Sequence, residues 1–159
     1  MYRWDVIKTW ERKGGWYIHP DGYNYVKIGN DVEIGNDVKI GDDVEIGKYV
    51  EIGDGVKLGD YVEIGKYVKI GNGVSVPVYK SSYYAIHWFS PGYIRSGCIV
   101  KPFEWWIENV KRCAEEYGYN KRQQEQYAFF VDRIIAWEKA MGDLLGMVEK
   151  KSEKDLTTP

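Results

Sequence analysis

Chemistry near neutral pH needs a group that can exchange a proton, attack a carbon or hold a metal. The chain's stock of imidazole and thiol is two histidines and two cysteines. His19 stands in the turn sequence His19-Pro20-Asp21-Gly22 and reads as a surface turn residue. Cys98 and Cys113 form no Cys-x-x-Cys pair and read as buried free thiols, neither a disulfide framework nor a metal site. His87 is different, because the residues around it alternate. In YYAIHWFSPGYIRSGC two strands meet at Ser90-Pro91-Gly92, and the loop length sets which residue faces His87. A three-residue loop pairs it with Arg95 and a two-residue loop with Ser96; the first is preferred, since a type II Pro-Gly turn splays twisted strands. His87, Phe89, Tyr93 and Arg95 then share a face and form the candidate ligand-binding set. Aromatic faces there would stack on a base and Arg95 would pair with phosphate, while its charge would favour the neutral imidazole. No residue is assigned a catalytic role, although His87 is the one available general base, and neither a metal nor a cofactor is expected.

These residues need elements to hold them. The chain has 159 residues, a formal charge of −2, 44% hydrophobic and 16% aromatic side chains. That composition supports a folded core and argues against disorder and against general nucleic-acid binding. The N-terminal MYRWDVIKTWERKGG has scattered charges and no apolar run, so neither a leader nor a membrane span is expected, and the reading is cytoplasmic.

From Val26 the sequence repeats every six residues: VKIGND, VEIGND, VKIGDD, VEIGKY, VEIGDG, VKLGDY, VEIGKY, VKIGNG, then VSVPVY. Val and Ile alternate with a charge, the period of a strand with one buried face. Gly29 and its successors recur where a residue without Cβ suits a bend or a close neighbour. These units resemble the hexapeptide repeat of left-handed parallel β-helices. The resemblance implies three units per eighteen-residue coil, about three coils, and a prism about 14 Å tall at roughly 4.8 Å per layer. Val32/Val50/Val68 and Ile34/Ile52/Ile70 would fill the inside. Stacking puts Lys27, Glu45 and Glu63 on one face, Glu33, Glu51 and Lys69 on the second, and Lys39, Lys57 and Ser75 on the third. Tyr49 would lie over Tyr67, and Tyr61 over Asp43.

The expected fold is mainly β with α: residues 1–25 an N-terminal cap, 26–78 the β-helix, 79–101 a β-hairpin, 102–148 an antiparallel helical pair, and 149–159 a polar tail. The first helix opens at Pro102, carries Phe103, Trp106, Ile107, Val110, Cys113/Ala114 and Tyr117 as its apolar stripe, and stops at Gly118. The second runs from about Lys121 to Met141, and Leu144 to Val148 would add a last turn or two. Residues 84–137 look like the C-terminal region of uncharacterised phage and bacterial β-helix proteins.

The resemblance implies a homotrimer, in which a basic face of one prism meets an acidic face of the next. Hexapeptide-repeat acyltransferases bind acyl-CoA between subunits and use a histidine base, but their coils are interrupted by loops, and residues 26–76 contain none. The zinc-dependent members need three histidines per site. The function expected is therefore a non-enzymatic trimeric small-molecule-binding protein: a phage anti-defence sponge that sequesters an anionic signalling nucleotide in the host cytoplasm, with no membrane partner. The alternatives are an acyl-CoA-dependent acyltransferase acting through His87, and a purely structural or protein-interaction trimer.

Overall fold

A computed structural model describes residues 1–149; the expected tail, apart from Glu149, lies outside the described residues. Nine short strands make the stack: β4 (Tyr25–Ile28), β5 (Glu33–Ile34), β6 (Lys39–Ile40), β7 (Val44–Ile46), β8 (Glu51–Ile52), β9 (Lys57–Leu58), β10 (Glu63–Ile64), β11 (Val68–Ile70) and β12 (Ser75–Val76). Strands eighteen residues apart pair in parallel, with Lys27 on Glu45 on Glu63, Glu33 on Glu51 on Lys69, and Lys39 on Lys57 on Ser75. All three outward columns thus follow the expected stacking. Inward, Val50, Val68, Ile52 and Ile70 are buried, while Val32 and Ile34 of the first coil are half-buried. Tyr49 stacks on Tyr67 with ring centroids 5.0 Å apart.

The six-residue unit divides its bend between two positions. The first glycine of a unit is needed for closeness: a Cβ on Gly41 would lie 2.6 Å from the backbone nitrogen of Asp60 in the next coil. The left-handed conformation falls two residues later, at Asp31, Asp37, Asp43, Tyr49, Tyr61 and Tyr67, with Gly55 and Gly73 in the same place. The residue between them explains the Asp and Asn of the repeat. Asp54, Asp60 and Asn72 each accept, through Oδ1, the backbone N–H of the residue eighteen earlier at 2.7–2.8 Å. Asp42 cannot do the same, because the Asn24 N–H is turned to Asp21 Oδ1, and Asp42 Oδ1 stays buried without a partner.

The N-terminal segment adds strands to the first coil. β1 (Tyr2–Arg3) pairs antiparallel with β6, and β2 (Glu11–Lys13) and β3 (Trp16–Ile18) add to β4. The short α1 (Trp4–Ile7) lies between them and brings in the buried Ile7, with Trp10 buried just beyond its end. His19 packs its ring on Tyr2 and Trp10.

The expected hairpin is part of a larger sheet. β14 (Ile86–Ser90) and β15 (Tyr93–Ser96) pair with His87 opposite Arg95, flanked by β13 (Val78–Tyr79) and β16 (Ile99–Pro102). Gly97, at φ 58°, turns the chain back where a continuous strand was expected. Cys98 is consequently exposed at that turn, which corrects its reading as a buried thiol, while Cys113 is buried.

Helices α2 (Phe103–Glu116) and α3 (Lys121–Met141) pack on each other, with Ile107 of the expected apolar stripe exposed. The last turns expected after Met141 are instead a 3-10 turn and a strand, β17 (Leu145–Met147), which pairs antiparallel with β11. Leu144 O takes the Gly71 N–H that a further coil would have taken.

Glu138 of α3 joins helix to sheet: its Oε2 accepts from Trp88 Nε1 and from the Gly92 N–H, both at 2.9 Å. Removing it leaves two donors without their acceptor. Glu138→Ala should lower stability by about 2 kcal/mol in urea unfolding, and a loss under about 0.5 kcal/mol would show that the two donors find other acceptors.

Candidate functional site

Along each side, the N–H groups of the outward strand residue and of the following glycine donate to the coil above, residue i to residue i+17: Glu45 N–H to Val62 O at 3.0 Å, Gly47 N–H to Ile64 O at 2.8 Å. On this face the stack ends at β10, so Glu63 and Gly65 need acceptors from elsewhere. β14 supplies both. Phe89 O accepts from Gly65 at 3.0 Å, and His87 Nε2 accepts from Glu63 at 3.2 Å. An imidazole nitrogen therefore stands where the carbonyl of a fourth coil would be.

The other ring nitrogen of His87, Nδ1, lies 2.8 Å from Trp88 O and can only donate to it. The ring is thus neutral, with its proton on Nδ1 and its Nε2 lone pair engaged. Burial holds its pKa down to about 4; the Trp88 carbonyl works against that shift and Arg95 adds to it. Arg95 reaches the Glu63 carboxylate, Nη2 to Oε2 at 2.9 Å, with both side chains about a quarter exposed. Burial nonetheless raises the pKa of Glu63, Arg95 opposing it and Glu45 adding to it.

Beside this seam lies a cleft of about 410 Å³. Its floor is the edge of the stack: Tyr25, Asp43 and Tyr61 in one column, Glu45 and Glu63 in the next. Its wall is the returning segment with Lys80, Tyr83, Tyr84 and Ala85, closed by His87, Arg95 and Gly97. The wall is fixed from behind by the helices. The Tyr84 N–H donates to Tyr119 Oη at 3.2 Å, Tyr127 donates its hydroxyl to Tyr84 O, and Gln123 reaches Ser82. Lys80 Nζ lies 5.1 Å from the Tyr61 ring centroid. Asp43 accepts from the Tyr25 hydroxyl, and burial, then the neighbouring Asp42, raise its pKa.

Of the four residues expected to share a ligand face, the structure brings His87 and Arg95 to the cleft. Phe89 packs its ring over Gly65, a place where a Cβ would lie 2.5 Å from the ring. The irregularity between Trp88 and Ser90 takes it out of simple alternation. Tyr93 is exposed, pairs with Ser90 and Pro102, and is not part of the cleft. The cleft also holds residues outside that set of four. Tyr25, Asp43 and Tyr61 recur at intervals of eighteen, as do Glu45 and Glu63, which marks a chemically distinctive edge. What the spacing lacks is the fact that residues 80–87 return onto that edge.

Among the described residues no helix is long and apolar enough to cross a membrane. No curated protein and no solved structure matches the chain. A family model described as bacterial transferase hexapeptide (six repeats) matches residues 25–60 and 43–77. This match coincides with the three stacked coils and stops where the antiparallel sheet begins. Residues 25–77 therefore belong to the bacterial transferase hexapeptide repeat family.

Proposed function

We propose that the chain is a non-enzymatic small-molecule-binding protein, assembled as a homotrimer, whose ligand lies in the cleft between the Tyr25/Tyr61 edge and the Lys80–Ala85 wall. One observation carries the reading: an open, tyrosine-walled cleft contains a histidine whose two ring nitrogens are both engaged by backbone groups. Acyl transfer through His87 would need a free Nε2 to take a proton from the attacking group. That nitrogen faces an N–H, so the acyltransferase reading lacks its base. A purely structural trimer gives no role to the cleft. The anionic nucleotide of the sponge reading is a poorer match than binding without turnover itself, because Arg95 would have to leave Glu63 and the phosphate would meet Glu45 and Asp43. Support for the trimer comes from like charges stacked within two columns: Lys39 directly beside Lys57 on one face and Glu33 beside Glu51 on another suit a neighbour of opposite charge.

A thermal-shift screen over amines, saccharides, nucleosides and nucleotides tests the binding. A ligand at one hundred times its Kd should stabilise the protein by about 2.7 kcal/mol, and Tyr61→Ala should remove that shift without lowering the melting temperature of the free protein. If no compound shifts the protein, or if Tyr61→Ala leaves every shift intact, the cleft is not a binding site. Native mass spectrometry should show three chains of 18.5 kDa together, and a monomer would overturn the assembly. Turnover of acyl-CoA in the presence of amines or alcohols would restore the enzyme reading.

A further inference from the structure

Two cations of the chain itself already sit in the cleft. Lys80 covers the Tyr61 ring with its ammonium, and Arg95 sets its guanidinium on Glu63. Each marks a surface that accepts positive charge, one a π face and the other a carboxylate. The acidic side outnumbers them, since Asp43, Glu45 and Glu63 line the same space. Glu45 is half-buried between Lys27 and Glu63 in its column, and among the described residues it has no ion pair within 4.0 Å. Lys27, its neighbour below, holds its Nζ 5.0 Å from the Trp16 ring centroid. Half-buried carboxylates one layer apart repel each other in a medium that screens poorly, and a positive charge placed between them relieves that repulsion. Tyr61 and Tyr84 are exposed and Tyr83 is 81% exposed; Lys80 lies over Tyr61, Tyr83 stacks on Tyr119 and Tyr84 leans on Tyr117, and the ring surface that these contacts leave exposed offers aromatic contact to a cation's apolar body.

Resting on the binding reading above, we propose that the ligand is an organic cation, an ammonium group on a small apolar or aromatic body. Its charge lies beside Glu45 and Glu63, over the Tyr61 face that Lys80 now covers. Lys80 is then a built-in competitor, which the ligand displaces.

Calorimetric titration of the full chain with three compounds of similar shape tests this: benzyltrimethylammonium, benzyl alcohol and benzoate. The cation should bind at least about tenfold more tightly than the alcohol, benzoate should not bind, and added salt should weaken the cation. Glu45→Gln should lower affinity for the cation about tenfold. Lys80→Ala should raise it about threefold, because the ring is vacated and a repelling charge is gone; for an anion the same substitution would act in the opposite direction. Equal binding of alcohol and cation, preference for benzoate, a Lys80→Ala variant that binds the cation more weakly, or no binding of the cation would each overturn the cation assignment. The binding reading fails separately, when nothing in the broader screen responds to Tyr61→Ala.

Discussion

Ile52→Asp should abolish folding, while Glu51→Ala, one residue away, should be nearly silent. Ile52 is 4% exposed and sits between Ile34 and Ile70 in the middle coil. An aspartate there has apolar neighbours above and below it and must either carry a buried unpaired charge or bind a proton. The cost is about 4 kcal/mol or more, a large part of the stability of a domain this size. Glu51 points outward between Glu33 and Lys69, and its removal should change stability by less than about 0.5 kcal/mol. Urea unfolding followed by circular dichroism separates the two outcomes. Matching midpoints for the two variants would contradict the inside-outside alternation on which the coil depends.

Acid should loosen the seam between stack and sheet, and His87 sets the pH range. In the unfolded chain an imidazole binds a proton below about pH 6.5, whereas in the folded protein His87 resists until about 4. The unfolded state therefore binds more protons across that interval, so stability falls as pH drops through it and levels off below. The gap corresponds to about 3 kcal/mol from His87. Glu63 works in the other direction, because its raised pKa makes the folded carboxyl the readier proton acceptor. Its protonation nonetheless takes away Arg95's partner. The check is the difference between the native protein and His87→Gln, whose amide oxygen can still accept from Glu63 but does not titrate. Stability measured at pH 7 and at pH 4.5 should fall further in the native protein than in the variant. An equal fall in both would mean that the imidazole is not the acid-sensitive group.

The coils were legible because each six-residue unit states its own geometry. Alternation from Val26 gave the inward columns, spacing by eighteen gave the neighbours, and both rest on backbone periods that local sequence cannot disguise. The His87 to Arg95 pairing matches the expectation by a different route: Ser90 pairs with Tyr93 across a two-residue Pro91-Gly92 turn, and the irregularity at Phe89 shifts the register back to the one a three-residue loop would have set. What was hidden depends on contacts distant in sequence. The Ser-Gly-Cys stretch at 96–98 carries the alternation of its neighbours, and only the left-handed Gly97 shows that a third strand folds back there. Leu145 to Met147 reads as the fraying end of a helix; it becomes a strand because β11 offers an open row of backbone groups above it. His87 posed the hardest case. Residue type suggested a proton carrier or ligand contact, whereas its task in the fold is to accept the Glu63 N–H, and nothing local to His87 announces that donor.

The way the stack ends has a consequence for how such a protein can change in size. The acceptors supplied by His87 Nε2, Phe89 O and Leu144 O meet whichever coil is uppermost, and every coil presents the same donors. An inserted eighteen-residue unit would raise the terminating sheet and helices by about 4.8 Å and hand them equivalent partners. The cleft would lengthen by the same step, since its floor is the edge column and its wall travels with the cap. Coil number is thus a ruler: one duplication or deletion in register would change the length of the cleft while leaving the terminating seam as it is.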